Sequence, residues 1–187
     1  MRSSTLLILL LIAVIAIVGW AISLYNRLVS RRNHVEDGWS GVDVQLKRRH
    51  DLIPNLVSVV KKYASHEEQT LSRIVELRNR KIDKTSPQAY SDHEQKLGQA
   101  IGGLMVQVEA YPDLKADNNF KELQQQLYKI EDDIQYARRY YNGAVRQYNT
   151  LVQSFPSNMI AQRYAFAEAE YFELEDEVQR QAPKVDL

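Results

Sequence analysis

The chain has 187 residues, room for one ordinary domain and an anchor. Its 24 Lys and Arg balance 24 Asp and Glu, and without a basic surplus to replace phosphate counterions it is not expected to bind nucleic acid. It has no cysteine, which rules out a disulfide framework, a thiol nucleophile and any cysteine-ligated metal site.

Glycine and proline are few (7 and 5), and Leu, Gln, Glu, Arg and Ala are plentiful, so helices are expected throughout. The first element is an uncharged run from Leu6 to Leu24, interrupted only by Gly19 and Ser23. At 1.5 Å per residue it reaches about 28 Å, close to the thickness of a bilayer's hydrocarbon core. Trp20 and Tyr25 fall where an interfacial aromatic belt belongs. A cleaved signal peptide is the alternative, with Ala21-Ile22-Ser23 as a weak cleavage site. The run exceeds the usual core of about 7–15 residues, which favours a retained anchor over residues 1–25. Arg27, Arg31 and Arg32 follow the run, and Arg2 and the amino terminus precede it. The positive-inside rule then favours a cytoplasmic bundle by about one charge, with a periplasmic bundle as the alternative.

Beyond the anchor a heptad continues. Leu28, Val35, Val42, Leu56, Tyr63 and Leu77 fall at seven-residue spacing, with Arg49 and Thr70 in the gaps. Trp39, Leu46, Ile53, Val60 and Ile74 fall four residues later, with Glu67 as the exception. Such a stripe predicts one helix to about Lys84 that must lie against another. Pro54 cannot donate to the His50 carbonyl, yet the stripe keeps its register across it, which predicts a kink in preference to a break. Gly38 and Gly41 soften this helix without ending it.

Thr85-Ser86-Pro87 marks the first clear boundary, with Ser86 as cap and Pro87 at the first helical position. The second helix carries Tyr90, Leu97, Leu104 and Tyr111, with Ile101 and Val108 between them. Gly98, Gly102 and Gly103 would admit a close neighbour. Tyr111-Pro112-Asp113 stops it. A third helix starts at Asp117 or Asn118 and bears the cleanest stripe, from Phe120 through Leu127, Ile134, Tyr141 and Tyr148 to Phe155. Pro156 ends it, and Ser157 or Asn158 caps a short last helix to about Phe166. The bundle therefore spans residues 26–166 and a tail residues 167–187. The C-terminal stretch Met159, Ile160, Tyr164, Phe166, Tyr171 and Phe172 is aromatic and apolar without a clean period, and either caps one end of the bundle or docks on a partner.

The second helix is too short to cover the membrane-proximal stripe. Either Pro54 folds the first helix back, or the second and third helices run one after the other along it, or another copy covers it. A homo-oligomer packed through Val35 to Ile53 is the expectation. Arg49 lies on the stripe itself, where an unpaired charge is expensive, so it is predicted to pair with a carboxylate or stack on a ring. Arg138-Arg139-Tyr140-Tyr141 is a dense cluster whose Tyr136 and Tyr140 flanks suit cation–π stacking or an interface.

His66-Glu67 is not a zinc helix, because Thr70 stands where the second histidine would be. His34, His50, His66 and His93 are expected to be solvated. So are the carboxylates at Asp132-Asp133 and Glu173 to Glu177. No cofactor or metal is expected. Of the basic residues, only Arg27, Arg31 and Arg32 lie close enough to the span to touch lipid headgroups.

Several segments in order carry a family resemblance: Tyr25-Asn26-Arg27-Leu28-Val29, Val44-Gln45-Leu46-Lys47-Arg48-Arg49, Asp51-Leu52-Ile53-Pro54-Asn55-Leu56-Val57, Ala110-Tyr111-Pro112-Asp113-Leu114-Lys115-Ala116, Arg138-Arg139-Tyr140-Tyr141-Asn142 and Phe155-Pro156-Ser157-Asn158. They resemble the LemA family across nearly the whole chain. Gly102-Gly103-Leu104-Met105-Val106-Gln107-Val108-Glu109 departs from it, where a more polar, alanine-rich stretch belongs. The resemblance implies a single-pass protein of the bacterial inner membrane whose all-α soluble part is an antiparallel four-helix-type bundle. It implies no biochemical activity, and it brings by association a membrane metalloprotease as partner. The expected function is a membrane-anchored interaction or scaffold protein that self-assembles, without catalysis. The alternative is an accessory subunit of a membrane enzyme in envelope stress or quality control. Trp39, Leu46, Arg49, Pro54, Asn55, Arg138, Arg139 and Tyr140 are the candidate interaction or structural residues.

Overall fold

A computed structural model of the protein describes residues 2–82 and 86–172. All regular structure among them is helical. Helix α1 runs from Arg2 to Tyr63, 62 residues, without a break at Pro54. Proline leaves the His50 carbonyl without its helical donor, and Arg78 supplies the replacement, its Nε donating to that oxygen at 3.0 Å. The helix therefore survives its proline.

The break comes ten residues later, at Ala64, whose φ of −126° and ψ of 62° are not helical. A 3-10 turn, Ser65–Glu67, leads into α2 (Glu68–Asn79). This corrects the expectation of one rod to about Lys84. The stripe stays in register because α2 folds back and buries Leu71, Ile74 and Leu77 in the same core as Ile53, Leu56 and Val60. Burial, not a breaker residue, rewards the turn.

Helix α3 spans Pro87–Val108, with Ser86 Oγ accepting from the Ala89 N–H at 3.3 Å. Its end at Tyr111 opens a one-turn helix, α4 (Pro112–Ala116), which buries Leu114. Helix α5 (Asn118–Gln153) is 36 residues long. Asp117 caps it, Oδ1 accepting from the N–H groups of Asn119 at 2.7 Å and Phe120 at 3.1 Å. After the cis Phe155–Pro156 bond comes α6 (Ser157–Arg163). Ser157 does not cap it: its hydroxyl donates instead to the carbonyls of Leu151 and Ser154.

The chain forms two compact units, described separately. One comprises Met1–Ser40 with Arg139–Ala169, the other Gly41–Arg138 with Glu170–Leu187. The second holds a four-helix core. Ile53, Leu56 and Val60 from α1, Leu71 and Ile74 from α2, Leu97 and Leu104 from α3, and Phe120 and Leu127 from α5 line it.

In the first unit α1 and α5 run antiparallel. Trp39 lies 5.4 Å from Tyr141, ring to ring, and Arg31 donates to Gln147. Leu28, Val35, Val145 and Tyr148 are buried. Tyr148 donates to the Ala167 carbonyl at 2.8 Å, and Asn149 exchanges two hydrogen bonds of 2.9 Å with Ala169. The first residues of the expected tail are thereby tied to α5. The carboxylates from Glu173 onward lie outside the described residues.

The stripe expected to need a second copy is closed within one chain: Val35, Val42, Leu46 and Ile53 are all buried. Alongside Arg31 and Trp39 the cover is the long third helix, α5, and not the short second one.

Helix approach is closest at Gly38, where a Cβ would stand 3.1 Å from the Tyr141 Cα, whereas Gly41, Gly102 and Gly103 have nothing within 4 Å. Gly38→Leu is expected to destabilise the chain by about 1–3 kcal/mol through overpacking. Gly41→Ala is expected to stabilise it by up to about 1 kcal/mol through helix propensity alone. Urea denaturation followed by circular dichroism would show midpoints moving in opposite directions.

Candidate functional site: the Arg49 cluster and the apolar span

Arg49 occupies a stripe position of α1 and is only 3 % exposed. Its guanidinium reaches two carboxylates. Nη2 donates to Glu94 Oε2 at 2.6 Å and to the Glu94 carbonyl at 3.0 Å, and Nη1 donates to Glu131 at 2.9 and 3.2 Å. The pairing expected for this residue is present. His50 joins from the next position, its Nε2 lying 3.0 Å from Glu94 Oε1. Tyr90, one turn before Glu94, donates to Asp43 at 3.1 Å.

Burial lowers the proton affinity of Arg49, but the charges of Glu131 and Glu94 outweigh it and push its pKa up. Burial raises the Glu94 carboxyl, but the hydrogen bond with His50 and the charge of Arg49 hold it below the usual carboxylate range. Arg49 and Glu94 are thereby held as an ion pair. A general acid needs a carboxyl poised near working pH, and Glu94 is held away from it.

Beside the cluster lies a cavity of about 140 Å³, lined by Leu46, Arg49, Gly98, Glu131, Arg138 and Phe172 among others. Arg138 sits over the Phe172 ring, 5.1 Å from its centroid. The arginine thus stacks on Phe172 and not on Tyr136 or Tyr140, the rings expected for it, which stand exposed. The Nε groups of Arg49 and Arg138 are buried without a protein acceptor. A polar cavity of this size has room for water to satisfy both.

Of the predicted residues, Leu46, Arg49 and Arg138 meet around this cavity. Pro54 and Asn55 face solvent on α1, and Arg139 and Tyr140 are exposed on α5. Trp39 belongs to the other unit, against Tyr141. Glu94, Glu131, His50 and Phe172 were not among them. Glu94 was legible in principle: Tyr90, Glu94, Leu97, Ile101, Leu104 and Val108 alternate by four and three, so a carboxylate interrupts one stripe as Arg49 interrupts another. His93 corrects the expectation of solvated histidines. It is buried, and desolvation lowers its pKa despite the opposing charge of Glu94. Among the described residues no three His, Asp or Glu side chains converge as metal ligands.

The second feature is the start of α1. Every residue from Ser3 to Trp20 is exposed, with Leu6, Leu7, Leu9, Leu10 and Ile17 each more than half so. The segment is long and apolar enough to cross a membrane. It continues into the packed part of α1 without interruption at Ala21–Ser23, and Leu24 and Leu28 are already buried.

The sequence profile of the LemA family matches residues 38–187. The chain belongs to the LemA family. It is 28 % identical over 142 residues to Protein LemA of Metamycoplasma hominis, an alignment covering 74 % of this chain and 64 % of that relative. It is 25 % identical to Magnetosome protein MamQ 2 of Paramagnetospirillum magneticum, over 90 % of this chain and 71 % of the relative. A third relative, Magnetosome protein MamQ of Magnetospirillum gryphiswaldense, is 24 % identical, with 88 % and 71 % covered. The match to the mycoplasma protein thus spans under two thirds of that protein's length.

Proposed function

We propose that this LemA-family chain is a membrane-anchored helical scaffold of the cell membrane that works by self-association. The observation that carries this reading is the fully exposed apolar start of α1, in one unbroken helix with the buried stripe behind it. Lipid is the solvent that such a surface fits. Membership of the LemA family and the relatives named LemA and MamQ support a membrane-associated protein of non-catalytic type. So does Glu94, the buried carboxyl of the Arg49 cluster, which its partners hold below the usual carboxylate range and so away from general-acid work.

With the α1 stripe closed internally, the surface for self-association is sought elsewhere. Tyr128 and Tyr136, two turns apart on α5, are 59 % and 68 % exposed. Tyrosine is favoured where protein surfaces meet. Light scattering of the full chain in mild detergent is expected to give a dimer or larger. Tyr128→Glu with Tyr136→Glu is expected to weaken it about thirtyfold or more, the equivalent of about 2 kcal/mol. A native chain that is strictly monomeric removes self-association. Recovery of a foreign membrane protein in stoichiometric amount would favour the accessory-subunit role instead.

A further inference from the structure

Outside the apolar span, the first unit leaves three large apolar side chains exposed in one short stretch around the corner between α5 and α6. Phe155 is 79 %, Met159 62 % and Tyr164 58 % exposed. Scattered exposed hydrophobics need no explanation, but three this exposed within ten residues of the chain do.

Their position supplies the explanation. Tyr25 borders the apolar run, and its ring lies 4.9 Å from Tyr164 and 5.6 Å from Phe166, both edge-on. The helices tell the same story. Arg31 pairs with Gln147 in antiparallel register, and equal rise along both helices brings Gln153, the end of α5, level with Tyr25. Phe155 follows Gln153 by two residues.

Charge follows the same pattern. From residue 1 to 35 and from 134 to 167 there is no Asp or Glu. Arg27, Arg31, Arg32 and Arg163 lie in those stretches. Arg32 sits 5.3 Å over the Phe166 ring and Arg163 5.9 Å over Tyr164. Aromatic rings backed by arginines, level with the end of a membrane span, match the headgroup layer of an anionic bilayer.

We propose that the α5–α6 corner is a second membrane contact: Phe155, Met159 and Tyr164 enter the interfacial layer of anionic phospholipid beside α1, with Arg163 and Arg27 at the phosphates. The proposal rests on the reading of α1 as a span. Two grips on one bilayer set the tilt and rotation of the bundle, which a single helix leaves free.

The chain has no cysteine, so single substitutions can carry a nitroxide. The full chain is reconstituted in vesicles of phosphatidylcholine and phosphatidylglycerol, and relaxation by oxygen is compared with relaxation by a water-soluble nickel chelate. Labels at Phe155→Cys and Met159→Cys are expected about 5–10 Å below the headgroup surface. A label at Ile12→Cys is expected deep in hydrocarbon, and one at Val106→Cys, exposed on α3, in water. Phe155 and Met159 labels as open to nickel as the Val106 label, with Ile12 still in lipid, overturn the second contact alone. An Ile12 label open to nickel overturns the span and this contact with it. In phosphatidylcholine alone, or with Arg163→Glu, the Phe155 label is expected to move outward. An unchanged depth in both overturns the anionic part of the proposal.

Discussion

Replacing Arg49 with leucine is expected to destabilise the full chain by about 3–5 kcal/mol, read as a lower urea midpoint in detergent. The loss comes from what is left behind. Glu94 is 3 % exposed and would keep its charge in the core with only His50 beside it. Glu131 is 39 % exposed and would be hydrated instead. The double variant Arg49→Leu, Glu94→Leu is therefore expected to recover most of the loss, because no buried charge remains. Equal instability of single and double variants would show that the guanidinium acts through packing, not charge.

The pH dependence gives an independent check with a definite sign. In the native chain the Glu94 pKa is depressed, so its stabilisation is complete above the ordinary value of 4.5 and is lost as pH falls through the lower folded value. His93 also has a depressed pKa, so acid loss begins earlier, as pH falls below 6.5. In Arg49→Leu the largest counter-charge is gone and burial pushes Glu94 upward. Protonation then relieves the variant, and the gap between variant and native chain is expected to narrow on acidification. A gap that widens below pH 4.5 contradicts the pairing.

The second large effect concerns the apolar start of α1. At about −0.3 to −0.6 kcal/mol per Leu, Ile or Val, the run contributes on the order of 6 kcal/mol to insertion, while each central arginine opposes it by about 2.5–3.5 kcal/mol. One arginine leaves insertion favourable; two bring it near zero. Leu10→Arg combined with Ile15→Arg is therefore expected to shift a large part of the protein into the soluble fraction on membrane flotation, with Ile15→Arg alone staying bound. The fold behind the span is expected to persist, since every residue from Ser3 to Trp20 is exposed and none packs in the core. Full membrane retention of the double variant would contradict the span.

Pro54 and Ala64 show where reading the chain stops. The stripe of α1 and α2 is continuous in sequence, and the one visible breaker is Pro54. The helix passes it because Arg78, 24 positions later, fills the vacant His50 carbonyl. It ends at Ala64, which carries no turn signal. Similarly, Gly38 and Gly41 look alike in sequence, yet only Gly38 meets another backbone.

Local chemistry and periodicity determined the apolar span, the Ser86 and Asp117 caps, the stripe of α5 from Phe120 to Tyr148 and the need of Arg49 for a carboxylate or a ring, because each is set by residues within a few turns of one another. The tertiary structure alone decided which carboxylates Arg49 meets, that α5 closes the stripe expected to bind a second copy, and that Tyr164 and Phe166 return to Tyr25. Those outcomes depend on which helix comes to lie beside which, and residues 45 to 141 positions apart in the chain carry no local trace of one another.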